Sequence, residues 1–74
     1  MLTNLISARK KIGKSQEKVA IECKISRTMY NKIERGKIKN ISYPLAVAIG
    51  NSVGLHPDEI FLPSEVNDIH KTAV

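Results

Sequence analysis

The segment from Ser15 to Gly36, SQEKVAIECKISRTMYNKIERG, leaves the chain few ways to fold. Ser15 is an N-cap whose hydroxyl accepts from an orphan N–H at a helix start, and Glu17 places a negative charge in the first turn. Val19, Ala20 and Cys23 then recur at i, i+1, i+4, the stripe of a helix buried on one side. A second N-cap, Ser26, follows three residues after Cys23, so the first of these helices ends near Cys23 and the chain turns through Lys24 and Ile25. A turn this short allows only two helices in contact. In the second helix Tyr30, Ile33 and the stem of Glu34 share one face, Thr28, Asn31, Lys32 and Arg35 lie opposite, and Gly36 supplies a C′ stop.

The order of these residues is specific. Ser15-Gln16 stands ahead of Val19-Ala20, and Ile25-Ser26 is followed by Tyr30, Ile33-Glu34 and Gly36. This pattern resembles the Cro/phage-repressor type of helix-turn-helix, the XRE-like transcription regulators. The likeness extends upstream to Arg9 and downstream to Gly54-Leu-His-Pro-Asp-Glu-Ile-Phe61, covering roughly residues 2 to 62. It implies an all-α, five-helix, lambda-repressor-like DNA-binding domain over residues 1–62, with residues 63–74 as a C-terminal tail. It also implies a structural ion pair between Arg9 and Glu34, and a residue of positive φ at Lys24, where the family most often has Gly. At Lys14 the family usually has an apolar residue; here the apolar residue falls at Ile12.

Length and composition agree with such a domain. Seventy-four residues lie near the lower limit for a single hydrophobic core without staples, which argues against an enzyme cleft. With 42% apolar residues but only two Tyr, one Phe and no Trp, the core has to be aliphatic, which suits short helices. One cysteine permits no internal disulfide, and no Cys/His cluster has metal-ligand spacing, so neither metal nor cofactor is expected. No apolar run approaches the ~18 residues of a membrane span, and the N-terminus lacks a secretory h-region; the expected location is the cytoplasm. The net charge of +5 is segregated: residues 1–41 carry eleven Lys/Arg against three Glu, and residues 42–74 one Lys against four acids. A basic half that also holds the two-helix motif is the electrostatic footprint of a polyanion-binding protein.

Elsewhere, Leu2, Leu5, Ile6, Arg9 and Ile12 share one face of a first helix that Gly13 ends. Arg9 on the apolar side needs a carboxylate, and Glu34 is the candidate. Residues 37–41 form a basic loop before a third cap, Ser42, and Pro44 opens a helix reaching about Val53 whose buried side is Leu45, Ala46, Ile49, Gly50 and Val53. Gly50 reads as a close helix crossing. Gly54 stops that helix, and Pro57 opens a fifth with Ile60, Phe61 and Leu62 as its apolar residues. His56 stands where the family commonly has a Ser or Thr cap and reads as an indifferent loop residue. Beyond Pro63, three readings stay open: a frayed tail, a sixth helix, or an arm packing on a partner subunit.

The functional expectation is a sequence-specific DNA-binding regulator, a repressor as is usual in the family, binding a pseudopalindromic operator as a homodimer with its third helix in the major groove. Arg27, Thr28 and Lys32 are the expected base-reading residues, with Met29 either core filler or a contact to a thymine methyl. Gln16 resembles the family's phosphate-clamping glutamine; Ser15, Asn31, Arg35, Lys37, Lys39 and Asn40 are further phosphate candidates. Ile60, Phe61, Leu62, Val66 and Ile69 are assigned to a dimer face away from DNA. A different class, an interaction module such as an adaptor or antitoxin with a protein partner, is disfavoured by the polar outer face of the third helix. A small enzyme lacks any paired acids, activated nucleophile or phosphate loop.

Overall fold

A computed structural model of the chain describes residues 1–38, 40–61 and 66–67. Its elements are α1 (Thr3–Lys11), α2 (Gln16–Glu22), α3 (Arg27–Glu34), β1 (Ile41–Ser42), α4 (Tyr43–Val53), α5 (Pro57–Ile60) and β2 (Val66–Asn67). The architecture is all-α; β1 and β2 are two residues each and pair in parallel, Ile41 opposite Val66 and Ser42 opposite Asn67.

Three serines set where helices begin. Ser15 Oγ accepts from the Lys18 N–H at 3.0 Å, Ser26 Oγ from the Met29 N–H at 3.0 Å and Ser42 Oγ from the Leu45 N–H at 3.3 Å. Each such cap contributes about 1 kcal/mol. Helix ends follow one recurring device, a left-handed residue flanked by two backbone bonds that reach back into the last turn. After α2 the Lys24 N–H donates to Ile21 O and the Ile25 N–H to Ala20 O; after α3 the Gly36 N–H donates to Ile33 O and the Lys37 N–H to Lys32 O. Gly36 adopts its φ of +75° freely, whereas Lys24 holds φ +60° at a steric cost of about 1 kcal/mol. This left-handed lysine makes the turn between α2 and α3.

Leu5, Val19, Ala20, Tyr30, Ile33, Ala46, Ile49, Val53, Ile60 and Phe61 form the core, joined at its edge by Cys23 and Ile41. Several sequence expectations change here. Ile12 is 49% exposed, because α1 ends at Lys11 and the side chain lies past the last turn that faces the core. Gly50 is crowded not by a crossing helix but by its own chain turning back: an added Cβ would lie 2.4 Å from the Leu55 carbonyl oxygen and 3.5 Å from Pro57 Cδ. His56 is not indifferent. Its Nδ1 accepts from the Asp58 N–H at 3.1 Å, and the Glu59 carboxylate accepts from the His56 N–H at 2.7 Å, so His56 caps α5 as Ser or Thr would.

The largest revision concerns the expected dimer face. Ile60 and Phe61 are 8% and 5% exposed within their own chain. They close the core against α1 and α4, so they offer little surface to a second subunit. Val66 is half-buried, packed on the same core through its pairing with Ile41; Leu62 and Ile69 lie outside the described residues. The pairing of Val66 and Asn67 with Ile41 and Ser42 also means that these two residues fold back on their own subunit.

Candidate nucleic-acid interface

The interface is built on the partition of α3. Its inner face, Tyr30, Ile33 and Glu34, is buried against α1 and α2, and the exposed outer face presents Arg27, Thr28 and Lys32, with Arg35 just past the C-terminus. Met29 is half-buried and packs against the core, so most of it is filler.

A buried carboxylate fixes how α3 sits. Arg9 Nε donates to Glu34 Oε2 at 2.6 Å and Arg9 Nη2 to Oε1 at 3.3 Å, a bidentate pair whose side chains are 11% and 3% exposed. The Tyr30 hydroxyl donates to Oε2 at 2.6 Å and Gln16 Nε2 to Oε1 at 2.9 Å. Arg9 Nη1 also donates to the Lys14 carbonyl at 3.0 Å. Burial alone would raise the Glu34 pKa, yet the hydrogen bonds from Arg9, Tyr30 and Gln16 more than offset it and hold the carboxyl below its ordinary value. The same geometry raises the Arg9 pKa, chiefly through the bond to Glu34, and pushes the Tyr30 phenol up, burial first and the carboxylate second. A buried pair satisfied on every side is one whose single-partner loss is expensive.

From this network the contacts reach the surface. Gln16 Oε1 accepts from Asn31 Nδ2 at 3.2 Å, and Gln16, Asn31, Arg27 and Thr28 line a shallow recess of about 250 Å³ between the starts of α2 and α3. The structure therefore brings two expected phosphate residues, Gln16 and Asn31, against two expected base readers, Arg27 and Thr28. Ser15 is exposed at the head of α2 with its hydroxyl used as a cap. Arg35, Lys37 and Asn40 are exposed after the end of α3, and Asn40 turns the chain at φ +58°; Lys39 lies outside the described residues.

A second polar cluster supports the motif from behind and had no signal in the sequence. Lys14 Nζ donates to Glu22 Oε1 and to the Ser52 carbonyl, both at 2.7 Å, and the Ser52 hydroxyl donates to the same carboxylate oxygen. The departure from the family at Lys14 is thus answered by a polar tie between the α1–α2 turn, α2 and α4. Glu22 is held below its ordinary pKa by the Lys14 and Ser52 bonds. Glu22 lies eight residues from Lys14 and Ser52 lies thirty-eight, separations at which sequence periodicity carries no information.

Among the described residues no group of His, Cys, Asp and Glu could hold a metal ion, and no helix is long and apolar enough to cross a membrane. The arrangement as a whole is a two-helix unit, braced by the Glu34 hydrogen bonds, that presents a polar, basic helix face. The family model described as helix-turn-helix matches residues 5–60, and the chain belongs to that family, the Cro/phage-repressor type of DNA-binding regulators. No curated protein and no solved structure matches it significantly.

Proposed function

We propose that the protein is a sequence-specific transcriptional repressor that acts in the cytoplasm by occupying a promoter, with α3 inserted in the major groove of duplex DNA. The observation that carries this reading is the division of α3. A helix locked on one side by the Arg9–Glu34 pair turns Arg27, Thr28 and Lys32 to solvent, and these side chains match the donor and acceptor patterns of base edges. Arg27 suits guanine O6 and N7, Thr28 a thymine methyl or a base amine, and Lys32 guanine or a phosphate, with Met29 contributing only its exposed fraction. Phosphate contacts fall to Gln16, Ser15, Asn31, Arg35, Lys37, Lys39 and Asn40, and such contacts fix the register of the helix on the duplex.

One such domain spans too few base pairs to define a site, so a homodimer on two half-sites about one helical turn apart, ~34 Å, completes the reading. With Ile60 and Phe61 in the core, the dimer contact is carried by other surface of the acidic C-terminal half. Selection of bound sequences from random duplexes tests the proposal. An inverted repeat with G-containing half-sites supports it, and recovery of no consensus overturns it in favour of a protein-interaction module.

A further inference from the structure

The hydrogen bonds around Glu34 fix more than the position of α3; they also fix which way two surface amides face. An ionised carboxylate only accepts, so the Gln16 atom that meets Glu34 Oε1 at 2.9 Å must be the donor nitrogen. That leaves Gln16 Oε1 as the atom facing α3, and an acceptor there requires the Asn31 atom at 3.2 Å to be Nδ2. Amide orientation is ordinarily ambiguous, but a chain of contacts that begins at a carboxylate removes the ambiguity at each step. Asn31 has two N–H groups and one carbonyl. One N–H is held by Gln16, so one N–H and Oδ1 remain, in a side chain that lines the recess with Arg27 and Thr28.

A free N–H beside a free carbonyl oxygen on one planar amide is the pair that matches adenine, whose N7 accepts and whose N6 amine donates in the major groove. We propose that Asn31 is a base-reading residue that selects adenine at one position of each half-site, and that Gln16, oriented by Glu34, is the positioning residue that holds its amide in the reading orientation. This rests on the DNA-reading role of α3 proposed above, and it moves Asn31 from the phosphate contacts, where its sequence position suggested it, to the base contacts. Gln16 keeps one N–H for a phosphate, so clamping and positioning coexist in one side chain.

The test is binding of the full chain to duplexes that carry each of the four base pairs in turn at every operator position. Wild type should discriminate adenine from the other bases at one position by roughly 10- to 100-fold. Asn31→Ala should abolish discrimination at that position and leave it intact at the positions read by Arg27. Asn31→Ser, which keeps a hydroxyl but not the paired groups, should do the same and serves if the alanine variant folds poorly. Gln16→Leu should flatten discrimination at the same position while also weakening binding to every sequence, a combination that loss of a phosphate contact alone does not produce. If Asn31→Ala lowers affinity for all duplexes by one factor and keeps every base preference, Asn31 is a phosphate contact and the inference fails while the regulator reading stands. If wild type shows no base preference anywhere, both fail.

Discussion

Arg27 and Lys37 are both exposed cations beside α3, yet they are assigned different tasks, and the difference is measurable. Arg27→Ala should cost about 1 to 3 kcal/mol on the cognate site, relax the preference at one base pair and leave affinity for random DNA nearly unchanged. Lys37→Ala should weaken binding to all sequences alike and make the slope of log affinity against log salt shallower by about one unit. Equal losses on specific and random DNA for Arg27→Ala would reduce it to a backbone contact. The buried partners beneath it answer to stability instead. Removing Arg9 leaves the buried Glu34 carboxylate without its counter-charge, held only by the Tyr30 and Gln16 hydrogen bonds, at a cost of about 3 kcal/mol, and should lower the melting temperature by more than about 10 °C; an unchanged melting curve would exclude a structural role for the pair. Because the Glu34 carboxyl is held below the ordinary 4.5, the folded state binds its proton less readily than the unfolded chain. Its stabilisation is therefore complete above that value and is lost as pH falls through the lower native one. Glu34→Gln should make acid unfolding less steep without abolishing it, since Glu22 is shifted in the same direction.

Among the elements, α4 gives the sharpest test of local packing. Glycine to alanine in a helix interior ordinarily stabilises by about 1 kcal/mol. At Gly50 the new methyl would meet the Leu55 carbonyl oxygen at 2.4 Å, and that oxygen is backbone held in the turn by the Leu55 N–H bond to Gly50 O. The clash outweighs the propensity, so Gly50→Ala should destabilise by roughly 1 to 3 kcal/mol, read as an earlier midpoint in urea; a stabilised variant would mean that the α4–α5 turn yields freely. The element boundaries were largely legible beforehand because they depend on near neighbours. Ser15, Ser26 and Ser42 each cap a helix by accepting from the N–H three residues further on. Lys24 takes the left-handed conformation within the four-residue connection between α2 and α3, as the family resemblance implied. His56 escaped the same reading because histidine is not among the common caps, although Pro57 and Glu59 beside it complete the geometry.

For the whole molecule, the decisive question is what the C-terminal apolar residues cover. Phe61 is spent on the subunit's own core, so Phe61→Asp should unfold the chain rather than release a monomer, by placing an unpaired charge where no partner can reach it. Circular dichroism reads the outcome: loss of the helical signal is expected, and a well-folded variant of altered oligomeric state would restore Phe61 to a subunit interface. The basic half and the acidic half occupy opposite ends of the sequence, and the exposed cations of α3 and the loop after it belong to the first. That arrangement gives the exposed residues of α3 a favourable long-range field towards a polyanion.

What the amino-acid sequence determined by itself is the set of features that act over a few residues, the serine caps and the inner and outer faces of α3, together with the basic character of the motif. The caps follow from a side chain bonding to its own local backbone and the faces from a helical period, whereas the left-handed turn at Lys24 was implied by the family resemblance. Only the tertiary structure decided the features that depend on surfaces meeting across the chain. Lys14 finds Glu22 and Ser52, Ile60 and Phe61 fill the core, Val66 pairs with Ile41, and Gln16 passes the polarity of Glu34 to Asn31. Whether a side chain is used inward or left for a partner is a matter of how much volume the other helices leave unfilled, and no local pattern in the sequence contains that quantity.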